Sequence, residues 1–122
     1  MSSNLRYVVL HHTDIESPHF DFLFELDAGD EKLTSLRCPR WPVQVGDRLE
    51  ESDKHRRDYL TNEGPVSNSR GSVKRVDEGT MDWRMIHHDP FTIGMRFQST
   101  DPIEIIIALR SKESAFDVQS VK

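Results

Sequence analysis

His19-Phe20-Asp21-Phe22-Leu23-Phe24-Glu25 is the stretch whose reading decides the fold. Side chains on a strand alternate, so Phe20, Phe22 and Phe24 point one way and His19, Asp21, Leu23 and Glu25 the other. The phenylalanine face is core. The opposite face presents an imidazole and a carboxylate two residues apart, about 6.5 to 7 Å along the strand, close enough for both to reach one ion. His11-His12, at the end of the preceding apolar run Tyr7-Val8-Val9-Leu10, offers a third ligand. Two histidines and one carboxylate suit a divalent transition metal with open coordination positions. A surface strand also carries His and Asp as ordinary polar residues, so the spacing by itself leaves both readings open.

The rest of the chain reads as strands as well. Leu5 to Leu10 is a strand, Phe20 to Asp27 a second, and Leu33 to Leu36 a third, joined to the second by the turn Ala28-Gly-Asp-Glu. Cys38-Pro-Arg-Trp-Pro-Val is a proline-rich connection. Gly46 to Gly71 is polar and is expected to be an irregular, functional loop. Ser72 to Val76 and Thr80 to Met85 read as a hairpin around Asp77-Glu-Gly79. Two further strands follow, Phe91 to Phe97 by alternation and Ile103 to Leu109 by continuous apolarity. The tail from Ser111 to Lys122 is expected to fray. With no sustained helical period, the chain is expected to be all-β, a single-domain antiparallel β barrel with long connecting loops spanning 1–122. His19 and Asp21 are expected to point into a polar opening of that barrel.

Bulk properties narrow the function classes. A chain of 122 residues holds one domain. No apolar run approaches the roughly 20 residues that span a bilayer, and the N-terminus lacks a secretory pattern, so no membrane partner and a cytoplasmic location are expected. The lone Cys38 agrees with a reducing compartment and is expected to be an inert thiol. A net charge of −5 argues against a general nucleic-acid coat. The charge is uneven, however. Residues 37 to 75 hold 9 basic and 6 acidic side chains, against 2 and 7 before them and 5 and 8 after. A locally basic middle suits a small phosphate-bearing site, although Lys54, Arg56 and Arg57 also read as a solvated turn.

Taken together, these motifs resemble the phosphoesterase module of bacterial DNA ligase D, which trims 3′ ends during DNA end repair. That family's apolar strand, Q-x-H and L-H-Y-D-F-R-L-E look like Val8-Val9-Leu10-His11-His12 and Pro18-His19-Phe20-Asp21-Phe22-Leu23-Phe24-Glu25 here. Its V-P-K-G-P resembles Cys38-Pro39-Arg40-Trp41-Pro42. Its K-R-L, E-D-H-P-L-D-Y and F-E-G resemble Asp47-Arg48-Leu49, Asp53-Lys54-His55-Arg56-Arg57-Asp58-Tyr59 and Asn62-Glu63-Gly64. The likeness runs through residues 5 to 75. It implies that His12, His19 and Asp21 hold a manganese ion, with zinc or another divalent metal as substitutes. It also implies that Arg48, His55 and Tyr59 contact the scissile phosphate, with Arg40 as a further phosphate donor. The implied partners are DNA or RNA–DNA 3′ ends and separate polymerase and ligase proteins of end repair.

The chemistry is consistent with those roles. A cationic metal polarises a phosphoryl oxygen and acidifies water, Arg48 stabilises charge on the phosphoryl oxygens, and His55 can protonate a leaving oxygen. The chain departs from the pattern at Leu23, where the family has arginine, at Leu10, at Arg40, and by one residue in the His12 to His19 loop. Weakened or redirected activity is therefore expected, with Leu23→Arg expected to restore a phosphate donor. The rival reading is a non-catalytic module for nucleic-acid ends or another phosphate ligand. A third, His19-x-Asp21 with His87 or His88 and Arg96, imitates the facial triad of iron oxygenases but has room for only one strand before it. Trp41 and Trp83 read as core packing or as base-stacking platforms.

Overall fold

A computed structural model describes residues 2–13, 16–60, 64–65, 72–98, 104–109 and 114–122. The strands are β1 (Ser2–Thr13), β2 (His19–Phe24), β3 (Lys32–Cys38), β4 (Arg48–Arg56), β5 (Gly64–Pro65), β6 (Ser72–His88), β7 (Phe91–Phe97), β8 (Glu104–Leu109) and β9 (Ala115–Val121). A short 3-10 turn, Arg57–Leu60, follows β4. The sheet order is β1-β2-β3-β4-β9-β8-β7-β6-β5, and β1 also pairs with β6. That extra pairing closes eight antiparallel strands into a barrel and leaves no free edge in it. No helix among the described residues is long and apolar enough to cross a membrane.

Alternation along each strand sends one set of side chains inward. Tyr7, Phe22, Leu49, Met81, Met95 and Ile107 are fully buried in the lumen. Phe22 is its centre, with ring centroids 5.9 Å from Tyr7, 5.2 Å from Trp41 and 4.8 Å from Phe24. At one end the barrel opens into an apolar cavity of about 320 Å³, walled by Phe24, Leu36, Trp83, Phe91 and Phe116.

A second apolar layer lies outside the barrel. Val8, Leu10, Leu23, Leu33, Leu60 and Val73 form a separate buried cluster. The first four belong to the outward face of β1, β2 and β3, a face left to solvent in a bare barrel. Leu60, at the end of the 3-10 turn, covers them. Beyond it, β5 pairs with β6 through Gly64 opposite Val73, and Val73 in turn lies opposite His12.

Glu25 fastens this cover. Its carboxylate, 2% exposed, accepts hydrogen bonds from the backbone N–H groups of Arg6 at 2.6 Å and Gly29 at 2.8 Å, and from the Arg57 guanidinium. Burial pushes its pKa up, but these donors outweigh burial and hold the carboxyl below its ordinary value of 4.5. A lowered carboxyl pKa contributes stability above the unfolded-state value. That contribution disappears as pH falls through the folded-state value. Acid unfolding below about pH 4.5 should therefore be blunted in Glu25→Gln relative to wild type. Glu25→Gln should also lose about 2 to 3 kcal/mol at neutral pH, read from urea midpoints at pH 7 and pH 4. An equal loss at both pH values would remove the carboxylate from this role.

Three sequence expectations need correction. The hairpin placed around Asp77-Glu-Gly79 is one continuous strand, β6. Its partner β1 runs alongside, with Val9 opposite Asp77 and Tyr7 opposite Gly79. A register shift absorbs the irregularity, and Asp77 accepts hydrogen bonds from Trp41 Nε1 at 2.9 Å and Tyr7 Oη at 3.3 Å. The loop expected from Gly46 to Gly71 contains β4, because Leu49 plugs into the lumen and β3 supplies a backbone partner. The tail expected to fray contributes β9, bonded to both β4 and β8.

Candidate metal centre

β1 and β2 pair with His12 directly opposite His19 and Leu10 opposite Asp21. Directly opposed side chains on one face have Cβ atoms about 5 Å apart, and Asp21 lies on the diagonal from His12. Register alone thus gathers three candidate ligands from two strands. One ligand atom from each of His12, His19 and Asp21 lies within 4.8 Å of the others. His19 Nε2 is 3.3 Å from Asp21 Oδ1, and His12 Nδ1 is 3.9 Å from Asp21 Oδ2. An ion held at about 2.1 Å brings its ligand atoms to about 3 to 3.5 Å from one another, so modest side-chain rotation closes the set.

The hydrogen-bond pattern leaves room for a cation. His19 Nδ1 donates to the Ser17 carbonyl at 2.8 Å. In the neutral ring this leaves Nε2 as a bare lone pair. That atom is buried, makes no hydrogen bond, and faces a carboxylate oxygen. Two acceptors turned toward each other in a buried place repel unless a proton or a cation lies between them. Fixing the outer nitrogen of a histidine with a backbone carbonyl is also how metal ligands are commonly oriented.

His11 takes no part. It points to the other face and stacks on Phe20 at 4.1 Å with an interplanar angle of 6°. The sequence offered both histidines; alternation assigns His12. The cluster does not open into the barrel lumen either, contrary to expectation. It stands on the outward face of β1 and β2, buried in part by the outer layer.

The other expected site residues are placed around it at different ranges. Arg40 follows β3, its guanidinium held by Asp47 at 3.1 Å and Gln44 at 3.3 Å. Arg48 begins β4 opposite Asp117, two strand spacings from β2, about 10 Å. His55 lies opposite Leu33 near the far end of β4. Leu33 is one residue beyond Thr34, which faces Phe24, so His55 stands about four residues along from Asp21 as well as two strands across. The described structure therefore brings His12, His19 and Asp21 together, with Arg48 and His55 two strands away from β2. The side chain of Tyr59 and the segment Asn62-Glu63 lie outside the described residues.

Several alternatives lose their footing. His87 and His88 end β6 beyond Trp83, which faces Ser2 at the opposite end of β1 from His12, so no triad forms with His19 and Asp21. Trp41 and Trp83 pack against the core, and Trp83 Nε1 donates to the Leu26 carbonyl at 2.9 Å. Burial pushes the Cys38 thiol well above its ordinary value, and the Asp21 and Asp47 charges add to it, so this thiol stays protonated.

Leu23 is the most consequential position. It is fully buried between Val8, Leu10, Leu33, Leu60 and Val73. An arginine at this place would enter an apolar layer rather than a phosphate pocket. Arg37, in contrast, was missed by sequence reasoning: it lies directly opposite Asp21 on β3 and is exposed. Its only sequence signal is that it sits between the inward-facing Leu36 and Cys38.

A closed antiparallel barrel with a two-histidine, one-aspartate cluster on its outer wall defines the protein as far as class is concerned. The chain matches no protein-family model, and no curated protein sequence matches it.

Proposed function

We propose that this protein binds one divalent transition metal, manganese or zinc, at His12, His19 and Asp21 and uses it as a phosphoesterase on nucleic-acid 3′ ends. The observation that supports the metal half is the buried His19 Nε2, which has no hydrogen-bond partner and lies 3.3 Å from Asp21 Oδ1. The resemblance of four motifs, in order, to the phosphoesterase module of DNA ligase D supports the substrate half. When bound, the ion supplies Lewis-acid polarisation of a phosphoryl oxygen and a more acidic water. Asp21 lowers the net charge of the centre and His12 and His19 leave positions open, as hydrolytic sites require. Ser17 holds His19 in the ligating tautomer.

Arg48 and His55 belong to β4, two strands from β2, and in this reading they contact the phosphates of the nucleic-acid end from that side. Release of phosphate, or of a terminal ribonucleotide, from a DNA primer by the manganese-loaded protein is the test. His55→Ala should raise KM with kcat nearly unchanged. A fall in kcat of about a hundredfold would instead put His55 on the reacting phosphate. A second reading, a metal-dependent binding module without turnover, is favoured by one observation, the sealed apolar setting of Leu23. Tight binding of 3′-phosphorylated primer without turnover by any divalent ion would select it.

A further inference from the structure

Asp21 occupies the centre of a row of side chains on the outer wall. Reading across the strands, Arg75 faces Leu10, Leu10 faces Asp21, Asp21 faces Arg37, and Arg37 faces Glu50. Two guanidiniums therefore flank the cluster. Arg75 is half-buried and paired with Glu78 at 3.3 Å. Arg37 is exposed, and among the described residues no ion pair or hydrogen bond holds its side chain, although carboxylates stand opposite it on both neighbouring strands.

We propose that Arg37 is the phosphate-binding guanidinium of this site, receiving the non-bridging oxygens of a phosphate group held beside the His12, His19 and Asp21 centre. The inference rests on the metal-centred reading given above. Direct cross-strand partners have Cβ atoms about 5 Å apart, within the span of an arginine side chain that turns toward the cluster. The electrostatics point the same way. A divalent ion together with the Asp21 carboxylate leaves one positive charge, and Arg37 adds another between Asp21 and Glu50, so the side of the row nearest the ion attracts a phosphate monoester. A guanidinium adds two parallel N–H donors, a geometry that fits phosphate oxygens and that lysine lacks. Arg37 thereby supplies from β3 what the buried Leu23 does not supply from β2. Because its side chain is solvent-exposed on an outer wall, an incoming strand end meets it without any rearrangement of the core.

The test measures two affinities separately in the full chain. Manganese binding is followed by the loss of the free-ion electron paramagnetic resonance signal, and inorganic phosphate is then titrated calorimetrically into the manganese-loaded protein. Arg37→Ala is expected to weaken phosphate at least about tenfold while manganese affinity stays within about twofold of wild type. Arg37→Lys should recover part of the loss, since it keeps the charge and loses the paired donors. Unchanged phosphate affinity in Arg37→Ala, with the wild type binding phosphate, overturns the proposal and leaves the metal centre intact. Equal loss of manganese affinity also overturns it, because Arg37 would then act on Asp21. Manganese-loaded wild type that takes up no phosphate overturns it too. Wild type that takes up no manganese refutes the metal-centred reading itself, and the proposal with it.

Discussion

Leu23→Arg is expected to destabilise the protein by about 4 kcal/mol and to gain no phosphoesterase activity. The side chain is fully buried in the apolar cluster of Val8, Leu10, Leu33, Leu60 and Val73, and the Ser35 hydroxyl on the facing strand is already bonded to Ser52. A guanidinium there either stays buried in this layer or forces Leu60 off the outer wall, and both outcomes lose the apolar contacts of this layer. For a domain whose whole stability is typically about 5 to 15 kcal/mol, that is a large fraction. Urea denaturation gives the measurement. Leu23→Ala should cost about 2 to 4 kcal/mol through the cavity alone, so the two variants together separate lost packing from buried charge. A Leu23→Arg protein with a wild-type midpoint and faster phosphate release would instead return this position to the phosphate site. The resemblance at this position thus points to an added donor, whereas the packing points to a hydrophobic plug.

Manganese at about a hundred times its dissociation constant should stabilise the wild type by about 2.7 kcal/mol, reversed by chelator. The gain arises because the ion binds the folded pair of strands and not the open chain. It would also bridge His19 Nε2 and Asp21 Oδ1, which lie 3.3 Å apart. His19→Ala and Asp21→Ala should each lower manganese affinity by about a hundredfold or more and abolish the thermal shift. Both variants are expected to fold, since their side chains lie outside the lumen where Phe22 and its neighbours pack. Thermal denaturation with and without the ion decides the matter. A full shift in Asp21→Ala would move the ion elsewhere.

Much of the barrel was legible because a strand's alternation is a local property. The row Phe20, Phe22, Phe24 and the alternating run from Phe91 to Phe97 each announce their buried face without help from distant residues. β4 and β9 were not legible. Their polar residues look like loop or tail, and they are strands only because β3, β8 and each other supply backbone partners. The Asp77-Glu-Gly79 turn signal failed for the same reason, as a full-length partner, β1, overrides a local preference to bend.

By itself the sequence determined the face that His19 and Asp21 share, since two residues on one strand two positions apart need no tertiary information. The placing of Arg48 and His55 two strands from β2, the burial of Leu23 and the exposure of Arg37 beside Asp21 were decided only by tertiary structure. Each depends on cross-strand register or on a segment folded over the outer wall. Register is set by closure of the whole barrel, and no window along a single strand contains it.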